Sequence, residues 1–471
     1  MSDAATSPLL DHRTPDQMAG EPPRHRVVIV GGGFAGLNAA KYLRKAPVDV
    51  TLVDRRNFHL FQPLLYQVAT GGLSPANIAA PLRWVLRNQS NCDVALAEAV
   101  GFDLEGRRVL TDVGDLRYDS LIVAAGARHS YFGRDDWAEH APGLKTIEDA
   151  TQIRGRLYAA FEQAELIADA EQRRALLDFT IVGGGPTGVE LAGSLAEIAR
   201  HSLRNDFRHI DPSDAKIMLV EAGSRILESF PEELSDKAQR DLERLGVTVR
   251  TGTRVTDITR DDVELTSSIG VERWPTRTVL WAAGVVASPL AKALSAGSQA
   301  ALDRAGRVIV EPDLSLAGRP EVFVIGDMAN YSHQTGKPLP GVAQVAIQEG
   351  RFVARLIDAR RRGRETPKFR YRDLGNLATI GRRSAVAVLG RLRFSGALAW
   401  WLWLFVHLMH IVNFRNRVLV LLQWSWSYFT YDRSARMITG DAPTDDDLAA
   451  LQKLVVPPTA VKGPPSPAKT V

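Results

Sequence analysis

The sequence is poor in cysteine, with Cys92 as the single one among 471 residues. One cysteine excludes an intramolecular disulfide, a zinc site built from several cysteines and an iron–sulfur cluster held by this chain alone. It also excludes any catalytic mechanism that needs a redox-active pair of cysteines. A cytoplasmic setting fits this composition.

A large excess of charge of either sign is also absent. Lys and Arg number 58 against 54 Asp and Glu, a formal net charge of +4, which is too small to indicate nucleic-acid binding. Apolar residues make up 45% and charged residues 24%, which excludes wholesale disorder. The length predicts about three domains.

The two ends of the chain lack apolar runs. Residues 1–25 carry four prolines among polar residues. We therefore expect a disordered tail there rather than a signal peptide or a membrane anchor. Residues 437–471 are also rich in proline, so we predict a second loose tail, with a short helix that begins at Thr444.

What the sequence does contain is an internal repeat. Gly31-Gly32-Gly33-Phe34-Ala35-Gly36 follows a predicted buried strand and precedes a helical pattern, and Gly183-Gly184-Gly185-Pro186-Thr187-Gly188 does the same. Each copy continues to a strand that ends in an acid and then to a strand that ends in Ala-Ala-Gly. The acid is Asp54 in the first copy and Glu221 in the second. The Ala-Ala-Gly sequence ends in Ala125-Gly126 in the first copy and in Ala283-Gly284 in the second. Two copies in the same order predict two dinucleotide-binding domains.

The Gly-x-Gly-x-x-Gly pattern has a physical basis. The first glycine makes the tight turn after the strand, the second lets the backbone approach a pyrophosphate, and the third lets the helix pack closely on the strand. The phosphates then lie at a helix N-terminus, where unpaired N–H groups and the helix dipole favour negative charge. Both copies are therefore predicted to bind a dinucleotide.

The acid at the end of the second strand is placed to accept a hydrogen bond from a ribose hydroxyl. It repels a 2′-phosphate, so Glu221 predicts that the second site prefers NADH over NADPH. The second copy has a longer stretch between Gly188 and this acid, which indicates an insertion at residues 201–214. A solvated acid at the strand end is the alternative interpretation of Glu221.

A third landmark is a strand that ends in Gly326-Asp327, where a carboxylate could hold a polyol hydroxyl such as the ribityl chain of a flavin. An ordinary turn acid is the alternative. The next helix is predicted to begin just after Pro340, and its Gln344 and Gln348 lie on one face. Its N-terminus suits the negative charge that develops at the N1–C2 carbonyl edge of a reduced flavin. The alternative interpretation is that both glutamines are surface residues of an amphipathic helix.

These motifs together resemble the type II NADH dehydrogenases, which are single-subunit NADH:quinone oxidoreductases among the flavoproteins with two dinucleotide-binding domains. The matching pieces are the two glycine turns with their downstream landmarks, the run from Phe58 to Tyr66, and the Ala-Gln-x-Ala-x-Gln run from Ala343 to Gln348. The resemblance implies an α/β fold with two Rossmann-like domains, arranged as in glutathione reductase, plus a C-terminal helical region that associates with the membrane. Disulfide and sulfide:quinone reductases share this fold but need cysteines near the flavin, which this chain lacks.

The resemblance also implies the division of the chain. We expect a first part of the FAD-binding domain at 26–145, the NADH-binding domain at 146–299 and a second FAD-binding part at 300–360. A region that contacts quinone and membrane follows at 361–436. The tails lie outside this division.

The resemblance further implies non-covalent FAD in the first site and NADH as the substrate in the second, with no metal. The expected FAD-binding residues are Gly31, Gly33, Phe34, Ala35, Gly36, Asp54, Arg55, Ala125, Gly126, Asp327, Ala343, Gln344 and Val345. The expected NADH-binding residues are Gly183, Gly185, Pro186, Thr187, Gly188, Glu190, Glu221, Ala283 and Gly284. The expected catalytic residues are Glu190, Gln344 and Gln348.

The residues from Phe394 to Tyr431 form two nearly uncharged runs that contain five tryptophans, interrupted by Arg415-Asn416-Arg417 and preceded by many arginines. We predict a pair of interfacial helices on an anionic membrane surface, because tryptophans crowd the segment and basic residues surround it. A single transmembrane span and a dimer interface or buried core helix are the alternatives. His407 and His410 share a helical face and are read as polar-edge residues rather than metal or haem ligands.

The predicted reaction is hydride transfer from NADH to FAD, followed by two-electron reduction of menaquinone or ubiquinone without proton pumping. Glu190, in the first turn of the second nucleotide-binding helix, either tunes hydride transfer or relays a proton, or else simply complements the helix dipole. Gln344 and Gln348 are expected to orient quinone or flavin carbonyls. The resemblance implies peripheral, monotopic attachment at the cytoplasmic face of the cell membrane, with a homodimer as one option. The alternative functions are a reductase for ferredoxin or rubredoxin and a redox-slow NADH sensor or membrane module.

Overall fold

The structure is a computed structural model that describes residues 24–439 apart from 299, 366, 413, 432 and 434. The predicted N-terminal tail, except its last two residues, lies outside these residues. Most of the C-terminal tail lies outside them as well, including the helix predicted at Thr444.

The described chain contains both α-helices and β-strands. The α-helices are α1 Phe34–Tyr42, α2 Leu65–Ala69, α3 Pro75–Ile78, α4 Leu82–Leu86, α5 Ile147–Leu166, α6 Ala170–Leu177, α7 Pro186–Glu197, α8 Glu232–Arg244, α9 Leu290–Ser298, α10 Ala343–Arg361, α11 Gly396–His410 and α12 Phe414–Thr430. The strands are β1 His25–Val30, β2 Val48–Asp54, β3 Phe58–Leu60, β4 Ala79–Pro81, β5 Cys92–Leu96, β6 Ala99–Asp103, β7 Arg108–Thr111, β8 Leu116–Arg117, β9 Ser120–Val123, β10 Ala127–His129, β11 Asp178–Val182, β12 Lys216–Val220, β13 Val247–Arg250, β14 Arg254–Ile258, β15 Asp262–Ser267, β16 Gly270–Pro275, β17 Thr278–Trp281, β18 Val285–Ala287, β19 Val308–Ile309, β20 Ser315–Leu316, β21 Arg319–Val324, β22 Ala329–Asn330, β23 Asn376–Thr379, β24 Ala385–Leu389 and β25 Leu392–Ser395.

Two sheets carry the repeat. The first has the order β20-β21-β9-β1-β2-β5, parallel except for β20, and the second has the order β13-β12-β11-β17, parallel throughout. Their central strands are almost continuously apolar and buried, as expected when both faces of a parallel sheet are covered. The two predicted Rossmann-like units therefore form around β1 and β11.

The strands that follow the two Ala-Ala-Gly landmarks pair with each other. β10 and β18 are antiparallel, with Arg128 opposite Val286. This short pair joins the two sheets at the point where each repeat ends. The units are thus connected through equivalent positions of the repeat.

Helix α10 packs along α1, and glycine makes this close approach possible. A Cβ atom on Gly350 would collide with the backbone carbonyl of Ala35. The helix that carries the Ala-Gln-x-Ala-x-Gln run is therefore held against the helix that begins at the first glycine turn.

The chain returns to the first unit at helix α9. Helix α9 contributes Ala291 and Leu294 to the hydrophobic cluster built on β1 and β9. Helix α9 lies at the end of the range predicted for the NADH-binding domain, 146–299, and packs on the first sheet, and the division of the chain stays a prediction.

The C-terminal region forms the predicted helix pair, α11 and α12, behind the small antiparallel sheet β23-β24-β25. One side of the pair is buried through Trp403, Val420 and Trp424. The other side exposes large apolar side chains, among them Trp401, Phe405, Trp426 and Phe429. Within the described residues, no helix has both the length and the apolar character needed to cross a membrane.

Candidate active site

The first glycine turn and the acid after β2 form one hydrogen-bonded unit. Gly31 has φ +105°, which favours glycine. The Gly32 N–H donates to Asp54 Oδ2 at 2.6 Å, and the Arg56 N–H donates to Asp54 Oδ1 at 2.7 Å. Burial raises the pKa of Asp54, while these two bonds and the nearby arginines oppose that shift. Asp54 therefore fixes the loop from the end of β2.

The second turn repeats this geometry. Gly183 has φ +108°, the Gly184 N–H donates to Glu221 Oε2 at 2.6 Å, and the Gly223 N–H donates to Oε1 at 2.6 Å. Glu221 follows β12 directly, as Asp54 ends β2, so the longer insertion in the second copy does not displace it. A turn around Ile198–Ser202 and a short helical turn at Pro212–Asp214 occupy that insertion.

Open space lies in front of both turns. A Cβ atom built on Gly33 or on Gly185 meets no atom within 4 Å. Each glycine also begins a helix with extended backbone, so the helix N–H groups face that space. The residues present therefore fit a pyrophosphate at each turn.

The other residues predicted for the first site lie along one edge of the first sheet. The carboxyl ends of β1, β2, β9 and β21 are neighbours there because these strands are adjacent and parallel. Ala125 and Gly126 follow β9, and Asp327 follows β21, 3.9 Å from the Lys145 ammonium. Ala343 to Val345 begin α10, and a Cβ atom on Gly326, just after β21, would lie 3.7 Å from the Ala346 Cβ in the first turn of that helix. Arg55 is exposed, with its guanidinium 3.8 Å from Glu98.

The structure adds an acid to this edge that the sequence patterns missed. Glu349 is buried on α10 and accepts a hydrogen bond from the Gly326 N–H at 2.6 Å. Burial raises its pKa to about 8. A carboxyl group thus supports the Gly-Asp turn, as Asp54 and Glu221 support the glycine turns. An acid on the apolar face of a predicted helix is the signal that could have found it.

Glu190 is the fifth residue of α7 and lies in its second turn, not the first turn that the sequence predicted. Its side chain is buried beside β23, where the Thr379 N–H donates to Oε1 at 3.5 Å. Burial raises its pKa to about 8. A carboxyl group that is protonated at neutral pH does not complement a helix dipole, so this position supports the proton-relay alternative over the dipole alternative.

A chain of hydrogen bonds leads from this buried acid to the C-terminal helices. The hydroxyls of Thr379 and Tyr66 are 3.1 Å apart, the Gln67 amide donates to the Tyr66 oxygen at 3.0 Å, and the Trp424 indole donates to the Gln67 carbonyl oxygen at 2.7 Å. Residues from α2, β23 and α12 therefore form one hydrogen-bonded chain that ends beside Glu190.

A series of aromatic rings connects the first glycine turn with the same helix pair. The Phe34 ring is 5.7 Å from Phe61, Phe61 is 6.3 Å from the His407 ring, and His407 stacks on Trp403 at 4.3 Å. Burial lowers the pKa of His407 to about 4, so this histidine is neutral. Among the described residues, no group of three or more His, Cys, Asp or Glu side chains could hold a metal ion.

The two glutamines of α10 bond a neighbouring loop. Gln344 donates to the Gly375 carbonyl at 2.8 Å and accepts from the Leu374 N–H at 3.0 Å. Gln348 donates to the Arg372 carbonyl at 2.8 Å and accepts from its N–H at 3.0 Å. Their amides thus hold the segment that leads into β23, and their predicted contact with quinone or flavin carbonyls stays a prediction.

Comparison with known proteins agrees with this architecture. The family profile described as pyridine nucleotide-disulphide oxidoreductase matches residues 25–350, and the profile described as NDH2 C-terminal domain matches residues 374–431. The second match covers both C-terminal helices. The fold class expected from the sequence is confirmed.

Two curated relatives come from Mycobacterium tuberculosis. The type II NADH:quinone oxidoreductase Ndh is 47% identical over 426 residues, which cover 89% of this chain and 91% of that protein. The type II NADH:quinone oxidoreductase NdhA is 46% identical, with coverage of 89% and 92%.

Solved structures share the fold at low sequence identity. NDH2 from Plasmodium falciparum in complex with NADH has a TM-score of 0.79 at 20% identity and covers 88% of this chain and 100% of that one. The sulfide:quinone oxidoreductase of Aquifex aeolicus has a TM-score of 0.65 at 17% identity, with coverage of 92% and 96%.

Proposed function

The chain belongs to the type II NADH:quinone oxidoreductase family, and we propose that it oxidises NADH and reduces a membrane quinone to quinol with FAD as its bound cofactor. The observation that carries this proposal is the pair of dinucleotide cradles, joined edge to edge and backed by the helix pair of the NDH2 C-terminal domain. A protein acceptor is not favoured, because the two curated relatives at 46–47% identity are NADH:quinone oxidoreductases.

The first cradle is the proposed FAD site. The open space at Gly33, the N-terminus of α1 and the carboxylate of Asp54 suit the pyrophosphate and ribose of an adenine dinucleotide. Asp327 suits a ribityl hydroxyl, and the start of α10 at Ala343 suits a negative flavin edge. When bound there, FAD supplies a carrier that takes a hydride from NADH and gives two electrons to the quinone.

The second cradle is the proposed NADH site. Glu221 orients the ribose through a carboxylate that is itself held by two backbone N–H groups. Because this rigid negative charge lies where a 2′-phosphate would have to bind, the site prefers NADH over NADPH. The residues of the glycine turn, from Gly183 to Gly188, position the pyrophosphate.

The helix pair α11 and α12 is the proposed membrane and quinone side. Its outer face exposes Trp401, Phe405, Trp426 and Phe429, the last of them 81% exposed. Exposed aromatic residues beside many arginines suit a peripheral position in the interface of an anionic membrane. A quinone that enters from this side approaches the rings of His407 and Phe61, which lead toward the first cradle.

Glu190 is the proposed proton donor for quinol formation. Its carboxyl group is buried, burial raises its pKa to about 8, and it accepts a hydrogen bond from the Thr379 N–H of β23. The hydroxyls of Thr379 and Tyr66 extend the hydrogen-bonded path beyond it. We expect no proton pumping, because proton uptake here needs no path across a membrane.

The proposal is tested with purified chain, NADH and quinones of different chain length under anaerobic conditions. We expect one non-covalent FAD per chain, bleaching of its absorption by NADH, and recovery of the absorption when quinone is added. NADPH should bleach it far more slowly. Rapid bleaching without recovery by any quinone would contradict quinone as the acceptor, and a ferredoxin or rubredoxin added in parallel would then identify the protein-acceptor alternative.

A further inference from the structure

A cavity of about 330 Å³ lies apart from both nucleotide cradles, at the end of the helix pair where α11 begins and α12 ends. Its walls come from α8, from the turn between β23 and β24, from Gly396 at the start of α11 and from Tyr431 just after α12. It is therefore bordered on one side by the NADH-binding unit and on the other by the helices that carry the exposed aromatic face.

The walls of this cavity are positively charged. Its lining includes the cations Lys237, Arg244, Arg382 and Arg383 and the acids Glu197 and Asp241. Lys237 and Arg244 both pair with the single carboxylate of Asp241, which also accepts from the Ser384 hydroxyl. Glu197 pairs with Arg433 from outside the cavity. The acids are thus already neutralised, and positive charge remains.

Two arginines present their guanidinium groups on aromatic rings. The guanidinium carbon of Arg382 lies 3.3 Å from the centre of the Tyr431 ring, and that of Arg383 lies 5.4 Å from the centre of the Tyr428 ring. The Arg382 Nη1 group donates to the Ser427 carbonyl at 3.0 Å, and the remaining N–H groups in the plane of a stacked guanidinium can contact an oxyanion. The buried Nε atom of Arg382 has no hydrogen-bond partner among the described residues, so one donor at this site is unsatisfied.

Aromatic ring contacts connect the cavity with the apolar outer face. The Arg383 guanidinium lies over the Tyr428 ring, which contacts the exposed Phe429 ring at 5.4 Å. The Tyr428 ring also contacts Trp400, which in turn contacts the exposed Trp401 ring at 5.2 Å. A lipid offers this combination, since its acyl chains contact the aromatic face and its charged headgroup reaches the cations.

We propose that this cavity binds the phosphate group of an anionic phospholipid and so fixes the orientation of the protein on the membrane. The inference rests on the proposed peripheral attachment to the membrane, and it identifies the lipid group that the protein would bind there. A free phosphate compound is the other source of the same chemistry, and the experiment separates the two.

The test compares two double variants of the full-length, flavin-loaded protein. Arg244→Gln with Arg383→Gln removes two cavity cations and leaves Asp241 paired with Lys237. Lys292→Gln with Arg304→Gln removes two exposed cations that do not line the cavity and serves as the matched control. Binding is measured by co-sedimentation with phosphatidylcholine vesicles, with and without an anionic phospholipid.

One cation held at an anionic surface contributes roughly a fivefold change in binding. We therefore expect the cavity variant to bind anionic phospholipid vesicles roughly 25-fold more weakly, and the control variant to change less than about twofold. Equal losses in the two variants, or none in either, would overturn the site. The single variant Arg383→Gln, at an exposed position, repeats the test if the double variant unfolds.

Further measurements distinguish a lipid from a free phosphate compound and separate this site from the proposed function. At equal ionic strength, inorganic phosphate should displace the wild-type protein from anionic vesicles and leave residual binding of the cavity variant unchanged. If phosphate alone raises the melting temperature of the wild-type protein while vesicles do not distinguish the variants, the lipid is excluded. NADH oxidation with a short-chain, water-soluble quinone should be the same in all variants, so its absence in the wild-type protein would contradict the proposed function and not this site.

Discussion

Single carboxylates hold both glycine turns in the same way. Asp54 accepts from the Gly32 N–H and Glu221 from the Gly184 N–H, at the same distance of 2.6 Å. Each acid fixes the backbone of its turn and also lies where we propose that a ribose binds. A substitution of either acid can therefore change both the stability of the turn and the binding of the nucleotide.

Gly33→Val should abolish FAD retention in a folded protein. No atom lies within 4 Å of a Cβ built at this position, so the valine collides with nothing in the chain and occupies the space for the pyrophosphate. Flavin absorbance per chain should fall at least tenfold, a loss of about 1.4 kcal/mol or more of binding free energy. Thermal unfolding of the apoprotein is the control, and full flavin occupancy would contradict the assignment of the first cradle.

Glu221→Gln should weaken the discrimination between NADH and NADPH by roughly 1–3 kcal/mol, because it removes a charged hydrogen bond and a repulsive charge. The ratio of kcat/KM for the two nucleotides measures this change. Since Glu221 also accepts from two backbone N–H groups, flavin content and melting temperature must be compared with the wild-type protein. An unchanged ratio in a stable variant would assign the specificity to another residue.

Glu190→Gln should change how stability depends on pH. The folded protein holds this proton up to a pKa of about 8, whereas the ordinary value is 4.5. The folded state therefore binds more protons in that interval, and the free energy of unfolding falls as the pH rises through it. One pKa unit corresponds to about 1.4 kcal/mol. Between about pH 5 and about pH 8, the variant should lose less stability than the wild-type protein. Chemical denaturation at each pH measures the free energy of unfolding. Identical pH profiles would show that Glu190 is ionised in the fold.

At the scale of elements, the helix pair α11 and α12 has two different faces. Trp403, Val420 and Trp424 pack into the main hydrophobic cluster, so removal of the pair would open the core. The exposed residues of the pair can be substituted without opening the hydrophobic core. Membrane attachment is therefore separable from folding by substitution on the outer face alone.

Replacing Trp401, Phe405, Trp426 and Phe429 with serine should reduce vesicle binding roughly tenfold or more, because each exposed ring loses its burial in the interface. Reduction of a long-chain quinone in liposomes should fall with it, while reduction of a water-soluble short-chain quinone should change less. FAD retention and flavin bleaching by NADH are the controls. Normal use of the long-chain quinone by this variant would make the outer face an interaction surface of another kind.

At the scale of the whole molecule, one arginine ties three distant parts of the chain together. The Arg433 guanidinium donates to the Thr70 carbonyl at 3.1 Å and to its hydroxyl at 3.0 Å, and it lies 3.4 Å from Glu197 Oε2. The side chains of Arg433 and Glu197 are both 11% exposed. The end of the helix pair is thus fixed to both nucleotide-binding units.

Arg433→Met should lower the free energy of unfolding by about 3 kcal/mol, because it leaves the Glu197 carboxylate nearly buried without its ion-pair partner. Denaturant titration measures the loss, and Arg391→Met at an exposed position is the control. Adding Glu197→Gln should restore part of the stability. A loss no larger than that of the control would mean that solvent screens this pair.

The sequence by itself determined the two cradles, their acids and the helix pair, because each is written in neighbouring residues: a strand, a glycine turn and a helix, or a run of apolar residues at helical spacing. Only the tertiary structure decided which distant groups meet. Glu349 supports the Gly326 turn from another helix, Glu190 gains its raised pKa from burial beside β23, and α9 packs on the first unit although it follows the second. Burial and pairing between residues far apart in the chain depend on how the units pack, and no local pattern encodes that.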